Sequence, residues 1–264
     1  GEEETAGQQV QERRGSANDV RTYTAATIRG TKVDVDVDSC DLEGDGALAT
    51  TCTEHRGRGL WAVDSLNGSA WSTISAYFKK SSADFALGQE TKLAQGDVKD
   101  EAESAARLDK WNMSIEACRV TAKGGSSAGV AVGCRSHIGL ASNLFDGTTM
   151  PSEFTGRFAT KHAGSMVRGG IHLGSAYLFD GIGVKARKNL DLLQCIAGYL
   201  VQLRGPWLLG LDANCTPEEL AATGWLALVG GFIHAPEAPT CGKRTIDFFV
   251  VSRNFSHAVR SVHV

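Results

Sequence analysis

Short apolar runs of strand type alternate with helix-like segments from about Leu60 onward, and this alternation constrains the fold more than any other feature. Runs rich in apolar, β-branched and aromatic side chains are typical of buried strands. They occupy residues 83–88, 127–134, 170–179, 207–211 and 245–252. Such strands, mixed with helices, require sheets whose faces are covered by helices. The pattern therefore predicts an α/β fold.

Two of the intervening segments have the periodicity of amphipathic helices. Residues 69–80 place apolar side chains at helical spacing after Ser69, which is a candidate N-cap. Residues 188–203 are ended by Gly205-Pro206. The predicted buried stripe of this second helix consists of Leu190, Leu193, Ala197 and Leu200.

Composition excludes several classes of protein. The 264 residues are 42% hydrophobic and 22% charged, as in ordinary globular proteins, and no apolar run approaches the ~20 residues of a membrane helix. The first residues lack the basic and apolar regions of a secretory signal. The seven cysteines form no C-x-x-C pair and read as buried free thiols of a reducing compartment. We therefore expect an intracellular protein, nuclear or cytoplasmic, with no membrane partner.

Charge is distributed unevenly along the chain. The net charge is -3, but residues 1–59 hold 7 basic and 12 acidic residues, and the remainder holds 20 and 18. We interpret residues 1–59 as an acidic, partly disordered segment and residues 60–264 as the compact domain. The VDVDVD run at 33–38 lacks the Gly and Glu of an EF-hand, so a solvated strand or linker is favoured over a metal site. The net charge consequently does not exclude a nucleic-acid substrate.

Polar clusters follow two of the predicted strands directly. Gln89-Glu90 comes after ADFALG, and a carboxylate at a strand end lies at the sheet rim, where sites commonly form. Asp212 and Asn214 come after WLLGL and share one side if the segment is extended. The alternatives are a solvated Glu and an Asx turn that initiates the next helix. Residues 216–219, Thr-Pro-Glu-Glu, form a capping box that starts this helix.

A third cluster lies inside an apolar strand. Asp247 interrupts TIDFFVVS, and a buried carboxylate requires a cation, a histidine or a metal ion. An ion pair with Lys243 or Arg244 is the structural alternative. Both interpretations stay open from the residues alone.

In this order, the clusters resemble the motifs of the endonuclease/exonuclease/phosphatase superfamily, whose members include deoxyribonuclease I, the apurinic/apyrimidinic endonucleases and the LINE-type retrotransposon endonucleases. The resemblance spans residues 60–264. Its first motif is an Asn, here Asn67, and its second is Q-E-T, here residues 89–91. A central Tyr follows, here Tyr177 in GSAYLF. The last two are G-D-x-N, here residues 211–214, and I-D-[YF], here residues 246–248. SSAGVAVGCR resembles the central hairpin of the family. The spacing is most similar to the retrotransposon type, in which a Thr, here Thr240, also faces the site. The resemblance implies a four-layer sandwich of two packed mixed β-sheets flanked by helices.

Two departures from the family pattern matter. Leu211 stands where the family has Gly, with Gly210 one position earlier. No S-D-H follows Asp247, and only 17 residues remain after it. His257 and His263 are weak substitutes, because neither follows an Asp. We interpret SHAVRSVHV as the next strand and expect the family domain to be truncated before its terminal motif.

The resemblance also implies roles for individual residues. Glu90, with Asn67, would bind Mg²⁺, with Mn²⁺ as an alternative ion. Asp212 would orient or deprotonate the attacking water, and Tyr177 would donate a hydrogen bond to a phosphate oxygen. Asp247 would orient the missing catalytic His. The residues expected to contact substrate are Asn214, Thr240, Lys243 and Arg244.

The function implied is Mg²⁺-dependent hydrolysis of nucleic-acid phosphodiester bonds, with DNA as the favoured substrate. A retrotransposon-type enzyme would have a fused reverse-transcriptase domain beyond residue 264. Three alternatives remain from the sequence. The chain acts on RNA ends or phosphorylated small molecules, it is a catalytically impaired remnant or interaction module of the same fold, or it is an unrelated α/β domain whose motifs match by chance.

Overall fold

The computed structural model describes residues 22–29, 54–120, 125–142 and 150–264, with the backbone alone for 22–29 and 54. The VDVDVD run and most of the acidic, partly disordered segment predicted at 1–59 lie outside these residues. In the described residues the α-helices are α1 (Glu54–Gly57), α2 (Trp71–Lys80), α3 (Asp97–Leu108), α4 (Arg187–Leu200), α5 (Pro217–Ala221) and α6 (Trp225–Val229). No helix among them is both long enough and apolar enough to cross a membrane.

The described strands form two large mixed sheets and one small ladder. The first sheet has the order β13-β1-β2-β3-β7-β4. Its strands are β1 (Thr22–Arg29), β2 (Leu60–Asn67), β3 (Phe85–Gln89), β4 (Trp111–Glu116), β7 (Val130–Arg135) and β13 (Val259–His263). The ladder joins β5 (Arg119–Val120) to β6 (Ser126–Ser127). The predicted central hairpin is present, since β4 and β7 pair antiparallel along their whole length.

The second sheet has the order β11-β12-β10-β9-β8. Its strands are β8 (Phe158–Ala163), β9 (Ile171–Tyr177), β10 (Trp207–Asp212), β11 (Gly231–His234) and β12 (Asp247–Ser252). One parallel pair occurs in each sheet, β2 with β3 and β9 with β10, among otherwise antiparallel neighbours. Both sheets are therefore mixed.

The two sheets pack face to face, and helices cover their outer faces. The inner core joins Val63, Phe85 and Leu87 of the first sheet to Leu173, Leu208, Phe249 and other residues of the second. Side chains of α2 and α3 cover the outside of the first sheet, and those of α4 and α6 cover the second. Each fully buried Leu or Phe contributes about 1.5–3 kcal/mol. The predicted α/β class and the four-layer sandwich are confirmed.

Strand alternation decides which residues face the inner core. Along β2, Val63, Ser65 and Asn67 lie on the inner side, whereas Leu66 packs outward against α2. The same period of two holds along β3, β9, β10 and β12. Inner-facing positions that are apolar in mid-strand become polar at one end of the sandwich.

Two helix predictions are wrong in detail. Ala70 occupies the N-cap of α2, and no side chain caps this helix. Ser69 instead has a left-handed backbone (φ 58°), and its N–H donates to Asn67 Oδ1. In α4, Leu190 is 38% exposed, whereas Leu193, Ala197 and Leu200 are buried as predicted. The buried face is rotated by one position and includes Asn189, which binds the backbone of the preceding loop.

Residues before Leu60 contribute to the folded unit. β1 pairs with both β2 and β13 inside the first sheet. The helix α1 is attached to the same sheet through Asp84, which accepts hydrogen bonds from His55 Nε2 (3.0 Å) and Arg56 (2.8 and 3.0 Å). The first sheet thus includes a strand from the segment 1–59, which composition did not assign to the compact domain.

Free cysteines occur at five positions in the described part of the chain. Cys118, Cys134 and Cys215 are buried, whereas Cys195 is half-buried and Cys241 is exposed. Burial raises the pKa of the Cys134 thiol to about 11, and a backbone hydrogen bond acts in the opposite direction. The interpretation as buried thiols therefore holds for three of the five.

We expect Asp84→Asn to destabilise the fold at neutral pH by about 1–3 kcal/mol. Burial alone would raise the Asp84 pKa. The hydrogen bonds from His55 and Ala62 and the charge of Arg56 lower this pKa, and together they outweigh burial, so the net shift is downward. A carboxyl whose pKa is lowered on folding stabilises above its unfolded value of 3.8 and loses this contribution as pH falls through the folded value. Urea unfolding of both proteins from pH 7 to pH 2 should show the difference shrinking below about pH 4. A constant difference would contradict the pairing.

Candidate active site

Polar inner-facing residues meet at one end of the sandwich. The strands β2, β3, β9 and β10 all run toward this end, and β12 starts from it. In the first sheet Asn67 lies opposite Gln89, and in the second Tyr177 and Asp247 flank Asp212. The structure therefore brings together motif residues from both sheets that are up to 180 positions apart in the sequence.

A hydrogen bond joins the sheets at this end. Asn67 Nδ2 donates to Asp212 Oδ2 at 2.5 Å, and Asn67 Oδ1 accepts the backbone N–H of Ser69 at 3.1 Å. Both ends of the amide are thereby oriented. Asn67 is the last residue of β2.

Asp212 is a buried carboxyl in an electronegative environment. Burial is the main cause that raises its pKa well above the ordinary value, and the neighbouring Asp247 carboxyl is the second. The hydrogen bonds from Asn67 and the Asn214 backbone oppose this shift. The group is therefore a proton acceptor whose charged form is disfavoured unless a cation is close.

A second hydrogen bond between the sheets joins Tyr177 to Glu90. The Tyr177 hydroxyl donates to Glu90 Oε1, while Glu90 Oε2 lies 3.7 Å from Lys92 Nζ. Glu90 has a left-handed backbone (φ 57°), which turns the chain out of β3. Burial, followed by the bond to Glu90, raises the pKa of the Tyr177 phenol. Tyr177 therefore remains a protonated donor at neutral pH.

Arg157 was missed by the sequence analysis and is the buried cation of this region. It immediately precedes β8 and is 6% exposed. Its Nη1 donates to the Tyr177 carbonyl at 3.2 Å, and its guanidinium carbon lies 4.8 Å from the centre of the Tyr177 ring and 3.5 Å from that of Phe179. No strand was predicted at β8, so T-G-R-F at 155–158 gave no signal that would have identified Arg157.

The segment after β10 is a turn rather than an extended chain. Asn214 has a left-handed backbone (φ 50°), and its N–H donates to Asp212 Oδ1 at 3.2 Å. The expectation that Asp212 and Asn214 share a side by strand alternation is therefore wrong, and the Asx-turn alternative describes this geometry. The Asn214 side chain is nonetheless at the site, donating to the Leu178 carbonyl at 3.0 Å. The capping box of Thr216 and Glu219 is confirmed.

The remaining candidates lie around the start of β12. The buried Thr240 hydroxyl accepts the backbone N–H groups of Ile246 (2.9 Å) and Asp247 (3.1 Å), which fixes the position of Asp247. Lys243 and Arg244 are exposed, and Arg244 pairs with Glu219 on the surface at 2.9 Å. Thr240 thus belongs to the buried cluster, and the two cations lie outside it.

Neither candidate histidine lies in a buried position. The predicted C-terminal strand is present as β13, and His263 lies at its exposed end opposite Ala25 of β1. His257 is exposed and lies in a 3₁₀ turn, Ser256–Ala258.

The donor chemistry of the site fits a magnesium ion held by few protein ligands. Within the described ranges no group of three or more His, Cys, Asp or Glu side chains is arranged to hold a metal. Magnesium, however, is bound through one or two carboxylates and keeps several waters. Glu90 and Asp212 supply hard oxygen atoms. Burial, and secondly the Asp247 carboxyl, raise the pKa of Asp212, and a nearby cation would favour its charged form.

No family model matches the sequence, and no curated protein matches it. Solved structures do resemble the fold. An endonuclease/exonuclease/phosphatase family protein from Leptotrichia buccalis is 14% identical, with 72% of this chain and 85% of that chain covered and a TM-score of 0.48. The human Nocturnin catalytic domain is 14% identical (69% and 72% covered, TM-score 0.44). A mannosyl-6-phosphatase from Bacteroides thetaiotaomicron is 13% identical (70% and 78% covered, TM-score 0.44). Similarity at this level concerns the course of the chain and not its activity.

Proposed function

We propose that the chain is a Mg²⁺-dependent phosphodiesterase of the endonuclease/exonuclease/phosphatase type that cleaves DNA in the manner of a retrotransposon endonuclease. One observation carries the proposal. Two hydrogen bonds between the sheets, Asn67 to Asp212 and Tyr177 to Glu90, assemble the residues of separate motifs at one end of the sandwich. The order and spacing of these motifs in the sequence support the same function.

Each side chain has a chemical role in this proposal. Glu90 and Asn67 hold the metal ion, which when bound neutralises phosphate charge and stabilises the leaving oxygen. Asp212 accepts the proton of the attacking water, since its raised pKa suits a general base. Tyr177 and Asn214 orient the substrate phosphate, and Thr240 holds the backbone at Asp247.

A second candidate function is a catalytically impaired relative that binds its partner without turnover. The exposed positions of His257 and His263 favour it, because a His beside Asp247 would stabilise the charged transition state. Loss of one such group costs about 10²–10³ in rate. We therefore expect slow hydrolysis if the protein is an enzyme. In the binding-module alternative, the bound partner is still an anionic phosphodiester.

Hydrolysis assays on three substrates test the proposal. We expect the 264-residue protein to nick supercoiled plasmid in Mg²⁺ or Mn²⁺ and to be inactive in EDTA. An RNA oligonucleotide and bis(p-nitrophenyl) phosphate distinguish DNA from other phosphodiesters. Faster metal-dependent cleavage of either one would contradict the DNA assignment. Absence of metal-dependent cleavage of all three substrates would contradict the enzyme and favour the binding module.

We expect Arg157→Lys to lower kcat about tenfold, because a change of this size corresponds to the free energy of one lost cation–π contact. Lysine keeps the charge but loses the planar stack on Tyr177 and the directed bond to its carbonyl. Arg135→Lys is the matched control, because Arg135 stacks on Trp111 at 4.1 Å and also binds backbone carbonyls. Steady-state kinetics and urea unfolding of both variants check this. Equal losses of stability without a change in kcat would make Arg157 purely structural.

A further inference from the structure

A polar layer lies between the sheets, immediately inside the candidate site. Ser65, Ser175 and Gly210 each precede a site residue by two positions, Asn67, Tyr177 and Asp212 respectively, and Gln89 directly precedes Glu90. Strand alternation gives the residues two positions apart the same inward direction. The layer therefore lies on the same inner strand faces as the site residues, one step further into the sandwich.

A single amide group joins three strands in this layer. Gln89 Nε2 donates to Ser65 Oγ at 3.1 Å in the first sheet and to Ser175 Oγ at 3.0 Å in the second. Ser175 Oγ in turn donates to the Gly88 carbonyl at 2.8 Å. Gln89, Ser65 and Ser175 are at most 4% exposed. We call these three residues the inter-sheet clamp.

The fourth strand at this layer, β10, approaches the clamp through Gly210, which has no side chain. A Cβ added to Gly210 would lie 2.6 Å from Ser65 Oγ and 2.7 Å from Leu87 Cδ1. Side chains in contact are not found at such separations, so β10 is closer to β2 here than any other residue type would allow. Further along the same strands the space between the sheets is filled by large apolar residues such as Phe85 and Phe249.

We propose that the inter-sheet clamp sets the separation of the two sheets at the active end, and that Gln89 is a positioning residue of the site. Asn67 and Glu90 belong to one sheet, and Asp212 and Tyr177 belong to the other. Both hydrogen bonds that assemble the site therefore depend on the spacing between the sheets. An apolar group of the same size would fill the layer without directing the two serines. As far as turnover is concerned, this inference rests on the proposed function.

A double-mutant cycle tests the clamp without metal or substrate. Asn67→Ala, Asp212→Ala and the double variant are made in the wild-type, Gln89→Met and Thr160→Val backgrounds, and unfolding constants are measured in EDTA. Thr160→Val is the matched control, because it removes a buried bond to Tyr199 between β8 and α4 (2.6 Å), away from the clamp. We expect a coupling factor of about tenfold in the wild-type and Thr160→Val backgrounds, and close to none in Gln89→Met.

Coupling of equal size in the Gln89→Met background would overturn the proposal. If Gln89→Met does not fold, Ser175→Ala replaces it, since this change removes one acceptor of the clamp and leaves a smaller side chain. Turnover adds a second readout: Gln89→Met lowers kcat with KM retained, and Thr160→Val changes neither. If Mg²⁺ and Glu90 prove irrelevant to hydrolysis while the coupling still depends on Gln89, the proposed function fails and the clamp stands.

Discussion

Glu90→Gln is expected to reduce Mg²⁺-dependent hydrolysis by about 10²–10³-fold and to weaken Mg²⁺ binding in parallel. Glutamine has the shape of glutamate but no negative charge. Its Oε1 still accepts the Tyr177 hydroxyl, so the hydrogen bond between the sheets is retained. Magnesium prefers charged oxygen ligands, so loss of this carboxylate would weaken binding of the proposed metal ion and its stabilisation of the phosphate.

Two measurements on the Glu90→Gln variant separate metal binding from folding. Calorimetric Mg²⁺ titration and initial rates over a range of Mg²⁺ concentrations report the site, and urea unfolding in EDTA reports the fold. Glu101→Gln on the exposed face of α3 is the matched control and should leave both unchanged. A Glu90→Gln variant that binds Mg²⁺ as tightly as wild type would remove Glu90 from the metal site.

The sandwich itself was predictable because its inner strands are locally marked. TIDFFVVS and WLLGL are apolar enough to be recognised as β12 and β10 without knowledge of their partners. By contrast, β1 was not assigned to the domain. Its sequence TYTAATIR lies in a segment of acidic composition, and it is held by β2 and β13, one of which is more than 200 residues away. Its inclusion in the sheet is set by non-local pairing.

The site was predictable where a motif coincides with a strand end, as at Glu90 and Asp212. The sequence alone did not reveal Arg157, because its position against the Tyr177 ring depends on the antiparallel pairing of β8 and β9. The same limit applies to Gln89, whose partners Ser65 and Ser175 lie on different sheets. Contacts between sheets leave no periodic signal in the sequence.

Asp212→Asn is expected to lower kcat by about 10²–10⁴-fold, the usual contribution of a general base. Asparagine cannot accept a proton from the attacking water, but its Oδ1 can still accept the hydrogen bond that Asn67 Nδ2 now donates to Asp212 Oδ2. In EDTA the same change should not lower stability. Burial and Asp247 raise the pKa of Asp212, so its charged form opposes folding at neutral pH, and a neutral side chain removes this penalty.

Asp84→Asn is the matched comparison for Asp212→Asn, because both carboxyls are buried near strand ends but their pKa values shift in opposite directions. We expect Asp84→Asn to lose stability with kcat unchanged, and Asp212→Asn to lose kcat with stability in EDTA retained. Kinetics and urea unfolding on both proteins complete the comparison. Mg²⁺ should stabilise the wild type more than Asp212→Asn, since a cation relieves charge that the variant lacks. Loss of stability by both variants alike would indicate that Asp212 serves the fold rather than the reaction.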